Sequence, residues 1–121
     1  MDRAAVGALV AGVILAVAGV AVVALGRLGQ RGRLPLQAWA GIRTRSTMRS
    51  DESWMAAHRA GGPLIEFAGW SAVALGGVAA LLSAADERWT TAITLAPVGV
   101  FLVLLVAGGI RGDQAARRVN S

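Results

Sequence analysis

Few side chains in this sequence could do chemistry, and most of them fall in one stretch, "GIRTRSTMRSDESWMAAHRAGG", from Gly41 to Gly62. It holds the single histidine, His58, and three hydroxyls in close succession, Thr44, Ser46 and Thr47. It also holds four arginines, Arg43, Arg45, Arg49 and Arg59. A histidine next to a hydroxyl could activate a nucleophile, and a histidine among carboxylates could hold a metal. Neither spacing is present, and the absence of cysteine removes thiolate chemistry and cysteine-ligated metals. His58 therefore reads as a structural hydrogen-bonding group, and no enzyme, cofactor or metal site is expected. Glu66 is the other residue of interest, because it interrupts an apolar run. Placed about three residues into a helix that starts at Pro63, it would lie ~5 Å deep. An intramembrane acid there should face the helix bundle and pair with a cation, Arg43 or Arg59 being the candidates, or reach back to the headgroups. Proton or cation handling is the functional alternative, but one acid near the edge of a span supplies no pathway.

The elements that must position these residues are set by hydropathy. The chain has 121 residues, of which 55% are hydrophobic, and its mean hydropathy of +0.60 is too high for an ordinary soluble domain of this size. It reads as a single all-α membrane domain, residues 1–121. From Ala4 to Leu25 no residue is charged, long enough for a helix to cross a ~30 Å hydrocarbon core and longer than the apolar core of a cleaved leader. A second span is expected over about 63–85 and a third over about 89–110, with Pro97 bending the third or lying near its first turns. Backbone groups in lipid must be satisfied internally, so each run should be helical in spite of its valines.

A net charge of +5 and a pI near 11.7 would suggest nucleic acid as a partner if the protein were soluble. Here the 12 basic residues are all arginine and lie between or beyond the apolar runs, where topology and anionic headgroups are the commoner explanation. No direct nucleic-acid contact is expected. Seven arginines occupy the segment 27–62 (Arg27, Arg31, Arg33, Arg43, Arg45, Arg49, Arg59) and three the tail 111–121 (Arg111, Arg117, Arg118), whereas Asp86–Glu87–Arg88 and the N-terminus carry one each. Three spans put the loop 27–62 and the tail on one side, which the positive-inside rule makes the cytoplasm, leaving the N-terminus outside. Small residues recur every fourth position, at Ala4, Ala8, Gly12, Ala16 and at Ala72, Gly76, Ala80, Ala84. Such stripes could pack the first two helices together, or a homodimer.

The loop has two halves. Residues 27–40 contain Gly29, Gly32 and Pro35 and should be irregular, with Leu34, Leu36 and Trp39 at the membrane interface. The second half is punctuated as a short amphipathic interfacial helix: Ser50 as N-cap, Asp51 and Glu52 in the first turn, and Gly61, Gly62 and Pro63 as a stop. Trp54 and His58 share one face of it with Ala57 and Gly61. Too short to be stable alone, this helix should dock on the bilayer surface or the ends of the spans.

The stretch from Gly41 to Gly62 resembles the signature of the SdpI family of small bacterial membrane proteins. The matching positions are Gly41, Ile42, Arg43, Thr44, Thr47, Trp54, His58, Arg59 and Gly62, and the likeness extends from about Pro35 to Ile110. Arg45 stands where proline is common among relatives, and the founding member is longer with additional spans. The resemblance implies a multi-pass protein of the bacterial plasma membrane, acting in toxin-peptide immunity or envelope protection. It also implies a peptide toxin and a transcriptional repressor as partners. The loop would organise the cytoplasmic face, binding a regulator or anionic lipid. The alternative is a small accessory or scaffold subunit of a larger membrane complex.

Overall fold

The computed structural model describes residues 3–37, 39–83 and 90–121. Most of them belong to three helices, α1 (Arg3–Gln30), α2 (Asp51–Ser83) and α3 (Thr90–Asn120), with one 3-10 turn, Thr47–Arg49, in the segment before α2. All three helices are long and apolar enough to cross a membrane, and no strand occurs among the described residues. At ~1.5 Å per residue they measure about 42, 50 and 46 Å, so each overshoots the ~30 Å hydrocarbon core. The expected connection Asp86–Glu87–Arg88, with Ala84 and Ala85 before it and Trp89 after it, lies outside the described residues.

Helix ends differ from the expectation in a consistent direction. Ser50 does cap α2, its Oγ accepting the Ser53 N–H at 3.0 Å, but the helix then runs on through Gly61, Gly62 and Pro63. The separate interfacial helix is thus the first part of α2. A terminating glycine adopts positive φ, and among the described glycines only Gly32 (φ 70°) and Gly41 (φ 107°) do so. Gly61 and Gly62 instead let neighbouring helices come close. A Cβ on Gly61 would strike the Gly108 carbonyl, and one on Gly62 would crowd the Gln30 side chain and lie 3.2 Å from the Gly26 carbonyl oxygen. Pro63 is exposed, and membrane helices tolerate such a residue where surrounding groups compensate the lost bond. At the other end of the segment, α1 continues to Gln30 and closes with two bonds, Arg33 N–H to Leu28 O (2.9 Å) and Gly32 N–H to Gly29 O (3.2 Å). This is a Schellman ending that needs the left-handed Gly32. Likewise α3 passes through Pro97 and does not stop at Ile110; the expected tail is helical as far as Asn120.

Helix α2 lies between α1 and α3, which meet each other little. In lipid the hydrophobic effect does not drive helices together, so close van der Waals approach must. Glycine supplies it between α1 and α2. Gly12, Gly19 and Gly26 run antiparallel to Gly76, Gly69 and Gly62. A Cβ on Gly12 would be 2.6 Å from the Gly76 oxygen, and one on Gly19 would be 2.6 Å from the Gly69 oxygen. The repeat is seven residues rather than the four expected. A seven-residue step drifts only about 20° around the helix, so a seam on that repeat stays aimed at its partner along the whole contact. Ala8, Gly12, Ala72, Gly76 and Ala80 of the expected stripes are buried, while Ala4 is exposed and Ala16 half-buried because a four-residue step turns away from the seam. Four-residue spacing appears in the other contact, where Gly108, Gly112 and Ala116 of α3 are buried along one face and a Cβ on Gly112 would sit 2.8 Å from the Ala57 oxygen.

Candidate functional site

Where α1 ends and α2 begins, the joining segment folds back over the bundle and is held there by buried polar bonds. Trp54 and His58, one turn apart on α2, are 1% and 5% exposed, with ring centroids 4.2 Å apart. The Trp54 indole N–H donates to the Leu34 carbonyl at 2.8 Å. His58 Nε2 accepts the Ile42 N–H at 2.9 Å, and its Nδ1 lies 2.7 Å from the Trp54 carbonyl. Those partners fix the tautomer: Nδ1 carries the proton and Nε2 offers its lone pair, so the ring is neutral. Both nitrogens are thereby committed to backbone, leaving neither a proton to shuttle nor a lone pair for a metal. Gly41 is required twice over here, by its positive φ and because a Cβ would fall 2.5 Å from His58 Nε2 and 3.0 Å from the Trp54 ring.

Beyond Ile42 the chain makes a tight turn closed by threonines. Thr47 is fully buried. Its Oγ1 donates to the Ile42 carbonyl at 2.7 Å and accepts the Thr44 N–H at 2.8 Å, while Thr44 Oγ1 accepts the Thr47 N–H at 3.2 Å. Thr44 Oγ1 in turn donates to Asp113 Oδ1 at 2.6 Å, and Asp113 holds the Arg117 guanidinium at 2.8 Å. A second tie follows the N-cap: Ser50 Oγ and Ser53 Oγ are 2.7 Å apart, Ser53 Oγ donates to Asn120 Oδ1 at 2.5 Å, and Asn120 Nδ2 donates to the Ser46 carbonyl at 2.9 Å. The far end of α3 therefore latches both the turn and the start of α2. Replacing Asn120 by Ala removes a donor and an acceptor beside the fully buried Ser53 and should cost about 1–2 kcal/mol, read as a lowered unfolding midpoint in detergent. Asn120→Asp, which keeps the acceptor, should cost less.

Of the remaining motif positions, Ile42 is buried, its Cδ1 lying beside Gly61 and Gly112. Gly62 lies in the α1–α2 seam. Arg43 and Arg59 are exposed, with Arg59 reaching over Gly32. Neither is the partner of Glu66. That carboxylate pairs with Arg27 of α1 (Nε to Oε2, 3.5 Å) and accepts from Gln30 Nε2 at 3.1 Å and Trp70 Nε1 at 3.2 Å. Distance in sequence hid this: α1 extends past Leu25, so Arg27 and Gln30 come level with Glu66 across the glycine seam. Leu34, expected at the interface, is buried against the protein, whereas Trp39 is 89% exposed. The latch residues Asp113 and Asn120 were not anticipated either. Their spacing of seven, with Ala116 between, puts them on one face of a helix, a signal that counts only once α3 is known to continue past Ile110.

Under the folded loop lies a cleft of ≈ 360 Å³ between α1 and α3, floored by α2. Val22, Leu25, Ile65, Leu105 and Gly109 give it apolar walls, and Ile42, Arg43 and His58 roof it. Among the described residues no group of three His, Asp or Glu side chains could hold a metal ion.

A family model, that of the SdpI/YfhL protein family, matches residues 33–110. No curated protein and no solved structure matches. The matched region takes in the folded loop, all of α2 and most of α3, well over half the chain, while α1 and the latch residues Asp113 and Asn120 lie outside it. With three apolar helices of spanning length, this is a multi-pass membrane protein, and it belongs to the SdpI/YfhL protein family.

Proposed function

We propose that the protein is an SdpI-like protector of the bacterial envelope, one that takes up a membrane-active peptide within the bilayer instead of destroying it by catalysis. The observation that carries this reading is the apolar cleft beneath the loop, ≈ 360 Å³, with Arg43 among the residues at its roof. An apolar side-chain cluster of a peptide suits its walls, and the arginine suits a carboxylate or backbone carbonyl at its edge. The loop is cytoplasmic and the N-terminus outside. This is supported by the arginine count and by the ties from Thr44, Ser46 and Ser53 to α3, which gather the arginines of 31–59 and 111–118 at one end of the bundle. Exposed Arg45, Arg49 and Arg59 then meet anionic headgroups or a regulator on that side.

Expression in a sensitive host should raise survival against a membrane-depolarising peptide. Gly109→Phe should abolish that protection while leaving accumulation normal, because a Cβ there meets nothing within 4 Å and the ring beyond it would occupy the cleft that Gly109 lines. Equal killing of expressing and non-expressing cells by every such peptide tried, or full protection by Gly109→Phe, would overturn the reading.

A further inference from the structure

A second cleft lies on the outward seam of α1 and α2, away from the folded loop. Its apolar part, ≈ 450 Å³, is lined by Val20, Val23, Ala24, Leu28 and Trp70 together with Arg27. Arg27 also borders a polar notch of ≈ 350 Å³ formed with Gln30, Arg31 and Glu66. An apolar groove thus runs into a charged one, and a single arginine belongs to both. Arg27 is held in place: its Nε is 3.5 Å from Glu66 Oε2 and its guanidinium carbon 5.4 Å from the centre of the Trp70 ring. Glu66 is itself fastened by Gln30 and Trp70. The ion pair runs through Nε. The side chain remains 49% exposed. Arg31, one helical turn further on, is also exposed.

We propose that this seam binds one anionic phospholipid, with its phosphate on Arg27 and Arg31 and an acyl chain beside Val20, Ala24 and Leu28. Charge complementarity selects the occupant. Two guanidinium groups against the one Glu66 carboxylate leave a single positive charge in the notch, which a phosphodiester neutralises. Depth agrees, since Arg27 follows directly on the uncharged run that ends at Leu25 and Gly26 and Trp70 offers an indole at the same level, the usual place of arginine and tryptophan beside headgroups. A free phosphate would use the notch alone; the apolar groove leading from it, where Val20 is 61% exposed, argues for a lipid. Glu66 is a positioning residue here, aiming Arg27. The inference rests on membrane embedding and is independent of envelope protection.

The test uses the full chain with Trp39→Phe and Trp89→Phe, so that Trp70 is the tryptophan open to lipid while Trp54 stays buried at 1% exposure. It is reconstituted in phosphatidylcholine vesicles containing brominated phosphatidylglycerol or, as the comparison, brominated phosphatidylcholine. Trp70 fluorescence should report about fivefold preference for the anionic lipid, the worth of one arginine at an anionic surface. That preference should fall to parity in Arg31→Gln and in Arg27→Gln, persist in Arg118→Gln, and resist added inorganic phosphate. Arg31→Gln leaves the Glu66 cluster intact and decides the matter if Arg27→Gln fails to fold. Equal quenching by the two lipids would overturn the proposal. So would an equal loss in Arg118→Gln, which would make the attraction diffuse, or competition by phosphate, which would make the notch an ion site.

Discussion

Gly69→Val should destabilise the folded protein by ~3 kcal/mol, the upper end of over-packing. A Cβ at this position would lie 2.6 Å from the Val23 nitrogen and 2.7 Å from the Gly19 oxygen, and both are backbone atoms that cannot rotate aside. Only separation of α1 from α2 makes room, and that loosens the seam from Gly12 to Gly26 together with the ion pair between Arg27 and Glu66. The comparison is Gly77→Ala. Gly77 is also within α2, but a Cβ there meets nothing within 4 Å, so the change should be neutral or slightly stabilising through helix propensity. Unfolding in mixed micelles, followed by helical circular dichroism, separates the two. A Gly69→Val protein as stable as the parent would mean that the close approach of the helices contributes little.

Trp54→Ala should be comparably severe, costing ~3–5 kcal/mol as for other buried aromatic truncations. The change empties the space beside His58, deprives the Leu34 carbonyl of its donor and removes the ring against which His58 packs. Trp54→Phe keeps most of the volume and loses the indole bond, so it should cost about 1–2 kcal/mol. The consequence local to the loop is measurable apart from global stability. Arg43, Arg45 and Arg49 are exposed on a backbone that the clamp holds folded, and trypsin should cut there much faster in Trp54→Ala than in Trp54→Phe. Equal cleavage rates in the parent and both variants would show that the loop is held by something other than this pair.

The spans were legible because hydropathy and length alone decide them, and Ser50 was legible as a cap because its chemistry is local. The Gly61–Gly62–Pro63 run was misleading for a reason rooted in the solvent. In water such a run ends helices, whereas between membrane helices glycine is the residue that permits contact, and here it serves Gly108 and Gln30. The seven-residue series Gly12, Gly19, Gly26 and Gly62, Gly69, Gly76 was present in the sequence. An abundance of alanine at four-residue intervals concealed it. The partner of Glu66 was beyond reach because it depends on how two helices align across that seam. The pairings of Trp54 with Leu34 and of His58 with Ile42 were likewise out of reach, since backbone carbonyls and amides carry no side-chain signature.

The bonds from Asp113 and Asn120 to the loop span 67 to 74 residues of chain. During synthesis, Thr44, Ser46 and Ser53 therefore leave the ribosome well before the groups that will hold them. The turn waits unlatched until the last helix has been made and threaded across the bilayer. Were that helix to insert the wrong way round, Asp113 and Asn120 would emerge on the opposite face and closure could not occur. Closure of the loop thus reports that the final helix has arrived with its far end beside Thr44, Ser46 and Ser53.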